Sequence, residues 1–276
     1  FIAMPELPEV ETIRRSLLPL VQGAVIDGVQ VYLAKAVKPA PAEFEAGLAG
    51  RQITAIERRG KYLLFQLDSG QRLAIHLRMA GSLVWQSGTP SLAKHTTLVL
   101  SFQDGNSLHF VDPRKFGTAV LFPPAAPPAG LTALGLEPLN TAKEELMAVL
   151  EEAAARRSGP VKGLLLDQRV LAGLGNIYAD EVLFAAGISP TRPAREVTRA
   201  EWEKIYESIV RILNKAVAYR GTSQRDYVDG RGEAGEFQHH LKVYGRKKET
   251  CLECGEPLVY ARVAGRGTHY CPTCQK

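Results

Sequence analysis

Apolar positions recur at helical spacing over residues 8–20, with Val10, Ile13, Leu17 and Leu20 on one face and Glu11, Arg14 and Arg15 off it. Gly23 fits the stop of that helix. The pattern then changes to short alternating runs: Val25–Leu33, Arg51–Arg58, Lys61–Asp68, Arg72–Arg78, Thr96–Phe102, Ser107–Val111 and Thr118–Phe122. Turn pairs such as Arg59-Gly60, Ser69-Gly70 and Asp104-Gly105 separate them, which predicts antiparallel strands. A second helix is expected over Pro41–Leu48. Seven short strands in about 100 residues suit a β-sandwich or a barrel.

From Pro123 to Gly130 the alternation gives way to a proline-rich connector, stiff rather than floppy. Helical periodicity follows over Ala142–Arg156, Val161–Asp167, Ile177–Ala186 and Arg199–Tyr219. The last is introduced by Thr198-x-x-Glu201, a capping box, and closed by Gly221. The expected organisation is therefore an N-terminal, mostly β domain over 4–122, a linker over 123–140, a helical domain over 141–240 containing a polar loop at 222–236, and a cysteine module over 241–276.

Composition narrows the class of protein. Hydrophobic residues make up 45% of the 276 and charged residues 23%, ordinary values for a soluble globular chain with more than one core. No apolar run approaches the roughly 18 residues that span a bilayer, and no charged-then-apolar leader opens the sequence. The net charge of +5 tilts the expectation toward polyanion partners without defining one.

Cysteine usage is sharper. Cys251, Cys254, Cys271 and Cys274 form two C-x2-C knuckles sixteen residues apart, with no other cysteine in the chain. Four thiolates at that spacing suit one tetrahedral Zn²⁺, and four protein ligands leave no open position, so the metal is structural. Free thiolates also imply a reducing compartment. Between the knuckles, Leu258–Val263 and Thr268–Tyr270 can pair as a hairpin with Arg266 at its glycine-flanked tip, either a solvated turn charge or a cation aimed at phosphate.

Other stretches are ambiguous singly. Pro5-Glu6-Leu7-Pro8-Glu9 reads as a helix start, with acids favoured by the helix dipole. It also reads as an active site if the chain starts at Met4 and that Met is removed, because Pro5 then carries a free secondary amine able to form an iminium. Gly173-Leu174-Gly175-Asn176 suits a phosphate-approaching helix start and, equally, a tight turn capped by Asn176. Arg58-Arg59-Gly60-Lys61, His76-Leu77-Arg78-Met79 and Asp112-Pro113-Arg114-Lys115-Phe116-Gly117 interleave cations with apolar groups that are either core or wedges for a base stack.

Taken in order from residue 4 to 276, this set resembles bacterial formamidopyrimidine-DNA glycosylase, the oxidised-purine branch of its family. The endonuclease VIII branch usually opens Pro-Glu-Gly-Pro-Glu, whereas residue 7 here is Leu. The resemblance implies an α+β chain of two domains: an N-terminal β-sandwich with flanking helices, then a helical domain with a helix-two-turn-helix element and a four-cysteine β-hairpin zinc finger. It implies excision of 8-oxoguanine or formamidopyrimidines from double-stranded DNA, a partner that includes abasic sites, by a cytoplasmic monomer. Pro5 would be the nucleophile, Glu6 the general acid and Glu9 a supporting carboxylate. Lys61 would contact phosphate and assist elimination, and Arg266 would assist the second elimination. Met79, Arg114 and Phe116 would fill the gap left by a flipped base, and His76, His95, Asn176 and Arg157 would contact the DNA. Loop 222–236 would close over the extruded base. Ser158 and Ala80 depart from the family pattern, which carries Lys and, in some members, an acid there. A damaged-DNA binder without activity, with Phe1-Ile2-Ala3-Met4 retained and Pro5 an amide, is the alternative, followed by a zinc-ribbon regulator.

Overall fold

The computed structural model describes residues 4–88, 91–223 and 227–276. The chain forms two compact units: one of residues 4–132 and 219–236, the other of 133–218 and 237–276. The start of the chain at Phe1–Ala3 lies outside the described residues.

In the first unit, α1 (Leu7–Val21) is followed by β1 (Ile26–Val31), β2 (Val37–Lys38), α2 (Pro41–Leu48), β3 (Ile53–Arg59), β4 (Tyr62–Leu67), β5 (Arg72–His76), β6 (Ser82–Gln86), β7 (Thr96–Phe102), β8 (Ser107–Val111), β9 (Thr118–Phe122) and a single turn, α3 (Ala129–Thr132). They make a five-stranded sheet of order β2-β9-β5-β4-β3 and a four-stranded sheet of order β1-β7-β8-β6. The expected sandwich is present. Its core takes Val10, Ile13 and Leu17 from α1, Leu63, Phe65 and Ile75 from one sheet, and Leu98, Leu100, Leu108 and Phe110 from the other. Each such side chain contributes roughly 1.5–3 kcal/mol by leaving water.

Two strands escape the sequence reading. β6 is an edge strand in which only Leu83 is fully buried, so its alternation signal is weak. β2 is two residues long and pairs in parallel with β9.

The second unit contains α4 (Lys143–Ala155), α5 (Val161–Leu165), α6 (Asn176–Ala186), α7 (Arg199–Ala218) and the hairpin β10 (Val259–Val263) and β11 (Arg266–Tyr270). The capping box opening α7 is formed: the Thr198 N–H donates to Glu201 Oε2 at 2.8 Å, and the Glu201 N–H reaches Thr198 Oγ1 at 3.4 Å. No helix among the described residues is long and apolar enough to cross a membrane.

The units cut the chain differently from the sequence reading, which put 222–236 with the helices. Segment 219–236 packs within the β unit, because its backbone is fastened to α1 and β6. The Thr222 N–H donates to Glu9 Oε1 at 2.7 Å, the Gly230 N–H to Ser16 Oγ at 2.9 Å, and the Trp85 N–H to Gly230 O at 2.8 Å. Partners more than 140 residues apart in sequence leave no local pattern to read.

Candidate nucleic-acid interface and active site

Pro5 and Glu6 lead into α1, whose first turn contains Pro8; a proline there forfeits no helix hydrogen bond. Pro5, Glu6 and Glu9 are all buried. Glu9 divides its carboxylate: Oε2 accepts the Glu6 N–H at 2.9 Å and Oε1 accepts the Thr222 N–H at 2.7 Å. It thereby fixes the residue beside Pro5 and tethers the start of 222–236 to the same point. Gly221 is required for this approach. Its φ is +79°, and an added Cβ would stand 2.8 Å from Glu9 Oε1. The Tyr227 hydroxyl, buried here, donates to Arg220 O at 3.1 Å and lies 3.3 Å from Glu9 O. Desolvation by burial, then the Glu9 charge, raise its pKa well above the usual phenol value. Residues 224–226, within the loop expected to close over a base, lie outside the described residues.

Lys61 sits in the tight β3–β4 turn and is buried. His76 ends β5 opposite Tyr62 of β4, and the two rings meet edge to face with centroids 4.5 Å apart. The Arg78 N–H donates to His76 Nδ1 at 3.0 Å, which leaves the proton on Nε2. Desolvation, then the charges of Arg78 and Lys61, lower the His76 pKa to about 3. The imidazole is a neutral N–H donor at physiological pH.

Asp112 builds the neighbouring loop. Its Oδ1 accepts the Arg114 N–H at 3.0 Å, and its Oδ2 accepts those of Phe116 and Gly117 at 2.8 and 2.7 Å. One buried carboxylate thus folds six residues into a knuckle whose outer side chains, Arg114 and Phe116, point to solvent. Gly117 has no room for a side chain, since an added Cβ would lie 2.4 Å from the Phe110 ring. Phe116 is 55% exposed, a large apolar group with nothing of the core around it. The Arg114 guanidinium lies 5.7 Å from the Phe116 ring centroid and 3.6 Å from Met79 Sδ. The three expected wedge residues therefore form one cluster, with Arg114 and Phe116 exposed and Met79 half-buried. His95, also exposed, has a φ of +69°, and its carbonyl accepts the Asp112 N–H.

In the helical unit, the Gln168 side chain folds the turn before α6. Its amide donates to Leu174 O at 2.7 Å and its Oε1 accepts the Gly173 N–H at 2.9 Å. Gly175 is the residue preceding α6, and Asn176 is the first residue inside it, so the capping role left open for Asn176 falls to its neighbour. Asn176 Nδ2 donates to Gly267 O at 3.0 Å, on the hairpin strand that carries Arg266. Arg157 is ion-paired with Asp167 at 2.5 Å. Hydrogen bonds from Arg169, then Arg157, hold that carboxyl far below the usual carboxylate range against its partial burial.

The hairpin turn is tighter than expected. Ala264-Gly265 form the tip, and Arg266, exposed, is the first residue of β11 opposite Val263. Behind it lies a buried polar cluster that sequence reading missed. Lys162 of α5 is fully buried, 2.6 Å from Asp180 Oδ1 and 2.7 Å from Thr268 Oγ1. Asp180 Oδ2 accepts the His269 N–H at 2.9 Å. Residues 267, 268 and 269 are each clamped by a side chain of α5 or α6. The available signal was a charge inside each of two apolar runs, Val161-Lys162 and Ala179-Asp180.

The four cysteine sulfurs lie within 4.8 Å of one another, with Cys254 and Cys271 3.5 Å and Cys251 and Cys274 3.9 Å apart. Zinc–sulfur bonds of about 2.3 Å in a tetrahedron require sulfurs about 3.8 Å apart, so the donors fit one Zn²⁺. Backbone N–H groups of Glu253 and Cys274 point at Cys251 Sγ and Cys271 Sγ, as suits thiolates. The ion is structural. It fastens the two knuckles and the hairpin between them.

A β-sandwich with an exposed cation–aromatic cluster and, in the same chain, a helical unit ending in a four-cysteine hairpin define a two-domain α+β zinc-finger protein. Family models match along the chain: the formamidopyrimidine-DNA glycosylase N-terminal domain at residues 4–119, its H2TH domain at 134–228, and the zinc finger found in FPG and IleRS at 248–276. The chain belongs to the formamidopyrimidine-DNA glycosylase family. It is 47% identical to the formamidopyrimidine-DNA glycosylase of Geobacillus kaustophilus over 99% of this chain and 100% of that one. Identity to the same-named protein of Moorella thermoacetica is 49%, over 94% and 95% of the two chains. Its structure is similar to that of Lactococcus lactis Fpg in complex with abasic-site-containing DNA, with a TM-score of 0.90 and 36% identity over 98% of this chain and 99% of that one. A complex of the same protein with Fapy-dG-containing DNA gives 0.89 and 35%, over 98% and 100%.

Proposed function

We propose that the chain is a DNA glycosylase and abasic-site lyase that excises oxidised purines, 8-oxoguanine and formamidopyrimidines among them, from duplex DNA in base excision repair. The observation that carries this reading is Pro5-Glu6, buried and held by Glu9, in the same unit as Lys61, His76 and an exposed wedge. A stacked nucleotide hides its C1′, so the base must first leave the helix. Met79, Arg114 and Phe116 then occupy the gap, with Arg114 toward the orphaned cytosine.

The chemistry requires Pro5 to be the first residue, because an amide nitrogen has no lone pair to offer. The Pro5 amine attacks C1′, the bond from C1′ to the base nitrogen breaks, and its electrons leave with the base, which takes up a proton. Glu6 protonates the sugar ring oxygen as the ring opens to an iminium. Loss of a proton from C2′ then expels the 3′ phosphate, and a second elimination expels the 5′ phosphate. Lys61 holds phosphate and assists the first step, and Arg266 assists the second. His76, His95, Asn176 and Arg157 contact the backbone, His76 as a neutral donor. The protein acts as a monomer in the bacterial cytoplasm.

A duplex carrying 8-oxoguanine opposite cytosine tests the reaction. The expected product is a one-nucleotide gap with phosphate at both margins. An intact strand bearing only an abasic site would remove the lyase half of the proposal.

A further inference from the structure

The turn that carries Lys61 is tied to the helix that begins beside Pro5, and one guanidinium makes the tie. Gly60 and Lys61 form a two-residue turn between the paired residues Arg59 and Tyr62, with Gly60 at a φ of +56°. Such a turn fixes its own backbone and leaves the direction of the hairpin end to its surroundings. Arg58 supplies that constraint. Its side chain, 7% exposed, donates from Nη1 to Gly60 O at 3.1 Å and from Nε to Glu11 Oε2 at 3.3 Å. Glu11 belongs to α1, the helix that Glu6 caps and that holds Glu9 in its first turn.

Three guanidiniums converge on Glu11. Arg14 donates to both of its oxygens, at 2.8 and 3.0 Å, Arg15 donates to Oε1 at 2.8 Å, and Arg58 to Oε2. Burial pushes the Glu11 pKa up, but hydrogen bonds from Arg14 and Arg15, with the charges of Arg14 and Arg58, outweigh it and hold the carboxyl below its ordinary value. Arg14 and Arg15 stand three and four positions on in the same helix, so they fix the carboxylate to α1 itself. Of the three, Arg58 alone comes from another element. Its planar fork joins an ionised acid at one end to a turn carbonyl at the other, a bridge with a set direction and length. We propose that Arg58 is a positioning residue for strand cleavage: held by Glu11, it sets the β3–β4 turn, and Lys61 with it, against the Pro5–Glu6 end of α1. This rests on the part given to Lys61 in the first elimination.

Arg58→Met removes the bridge and leaves Glu11 paired with Arg14 and Arg15, so no buried charge is stranded. Two rates are read for each zinc-loaded full chain beginning at Pro5: release of 8-oxoguanine from a duplex, and cleavage of a duplex with a preformed abasic site. In Arg58→Met the ratio of cleavage to release should fall about tenfold, because a misplaced Lys61 slows the elimination it assists. Glu11→Gln keeps the shape of the side chain and weakens its hold on Arg58, and its ratio should fall about threefold. The double variant should be no lower than Arg58→Met, since both changes break one bridge. General loosening of the sandwich would slow both rates and leave the ratio where it was, because Glu6 and Glu9 lie in the same unit. An unmoved ratio in Arg58→Met, or losses that multiply in the double variant, would overturn the inference and leave the proposed reaction standing. A parent chain that acts on neither duplex would overturn the reaction itself, and the inference with it.

Discussion

The Asp112–Gly117 knuckle and the Ala264–Arg266 hairpin turn each present an arginine to solvent, Arg114 in one and Arg266 in the other, and they are held by different means. In the knuckle a single carboxylate accepts three N–H groups from residues two, four and five positions on. The hairpin is held from outside its own sequence, by Lys162 and Asn176 about 90 to 106 residues away and by the metal ligands at its base. A local device of this kind is rigid whatever else the chain does. A remote one makes the position of Arg266 depend on the packing of α5 and α6. In the proposed reaction Arg114 fills a gap of fixed size, whereas Arg266 belongs to a module assembled around an ion.

Zinc removal should separate the two most strongly. Structural zinc contributes roughly 10–16 kcal/mol to small finger folds, so chelation should abolish amide-exchange protection across Val263–Tyr270 and weaken duplex binding by at least a hundredfold. Protection at Phe116 and Gly117 should persist. Equal loss at both places would end the distinction.

The Lys162–Asp180 pair gives the next largest effect. Lys162→Met leaves the Asp180 carboxylate buried and uncompensated, which costs about 3–5 kcal/mol. Denaturant unfolding should show that loss, and a Lys162→Met/Asp180→Leu double variant should recover most of it. If the double variant is no better than the single, the pair is not a coupled unit. Asp112→Ala comes last, at about 2–3 kcal/mol, because it strands up to three loop N–H groups that water can partly reach. Its sharper readout is loss of protection at Phe116 and Gly117 with the hairpin unchanged.

The same contrast explains what was legible in the sequence. Seven of the nine sandwich strands, the α7 capping box and the cysteine knuckles are written in local periodicity and spacing. Arg114, Phe116 and Met79 could be grouped because they flank turns at strand ends. The anchoring of 219–236 by Glu9 and Ser16, and the burial of Lys162 against Asp180, join positions whose neighbours in sequence say nothing of each other. Their only trace is a charge in an apolar run. Arg266 was placed one step too far out on the tip because hairpin register depends on the turn geometry, and a two-residue turn fits the same glycines as a four-residue one.

In the proposed reaction the nitrogen of Pro5, a buried residue, is the nucleophile. Sodium borohydride added during turnover on an 8-oxoguanine duplex would reduce an iminium to a stable amine. The expected product is a one-to-one protein–DNA adduct whose modified peptide begins at Pro5, formed by a chain that starts at Pro5 and absent from one still extended by Met4. An adduct mapping to Lys61 or another lysine, or none from a chain beginning at Pro5, would contradict it.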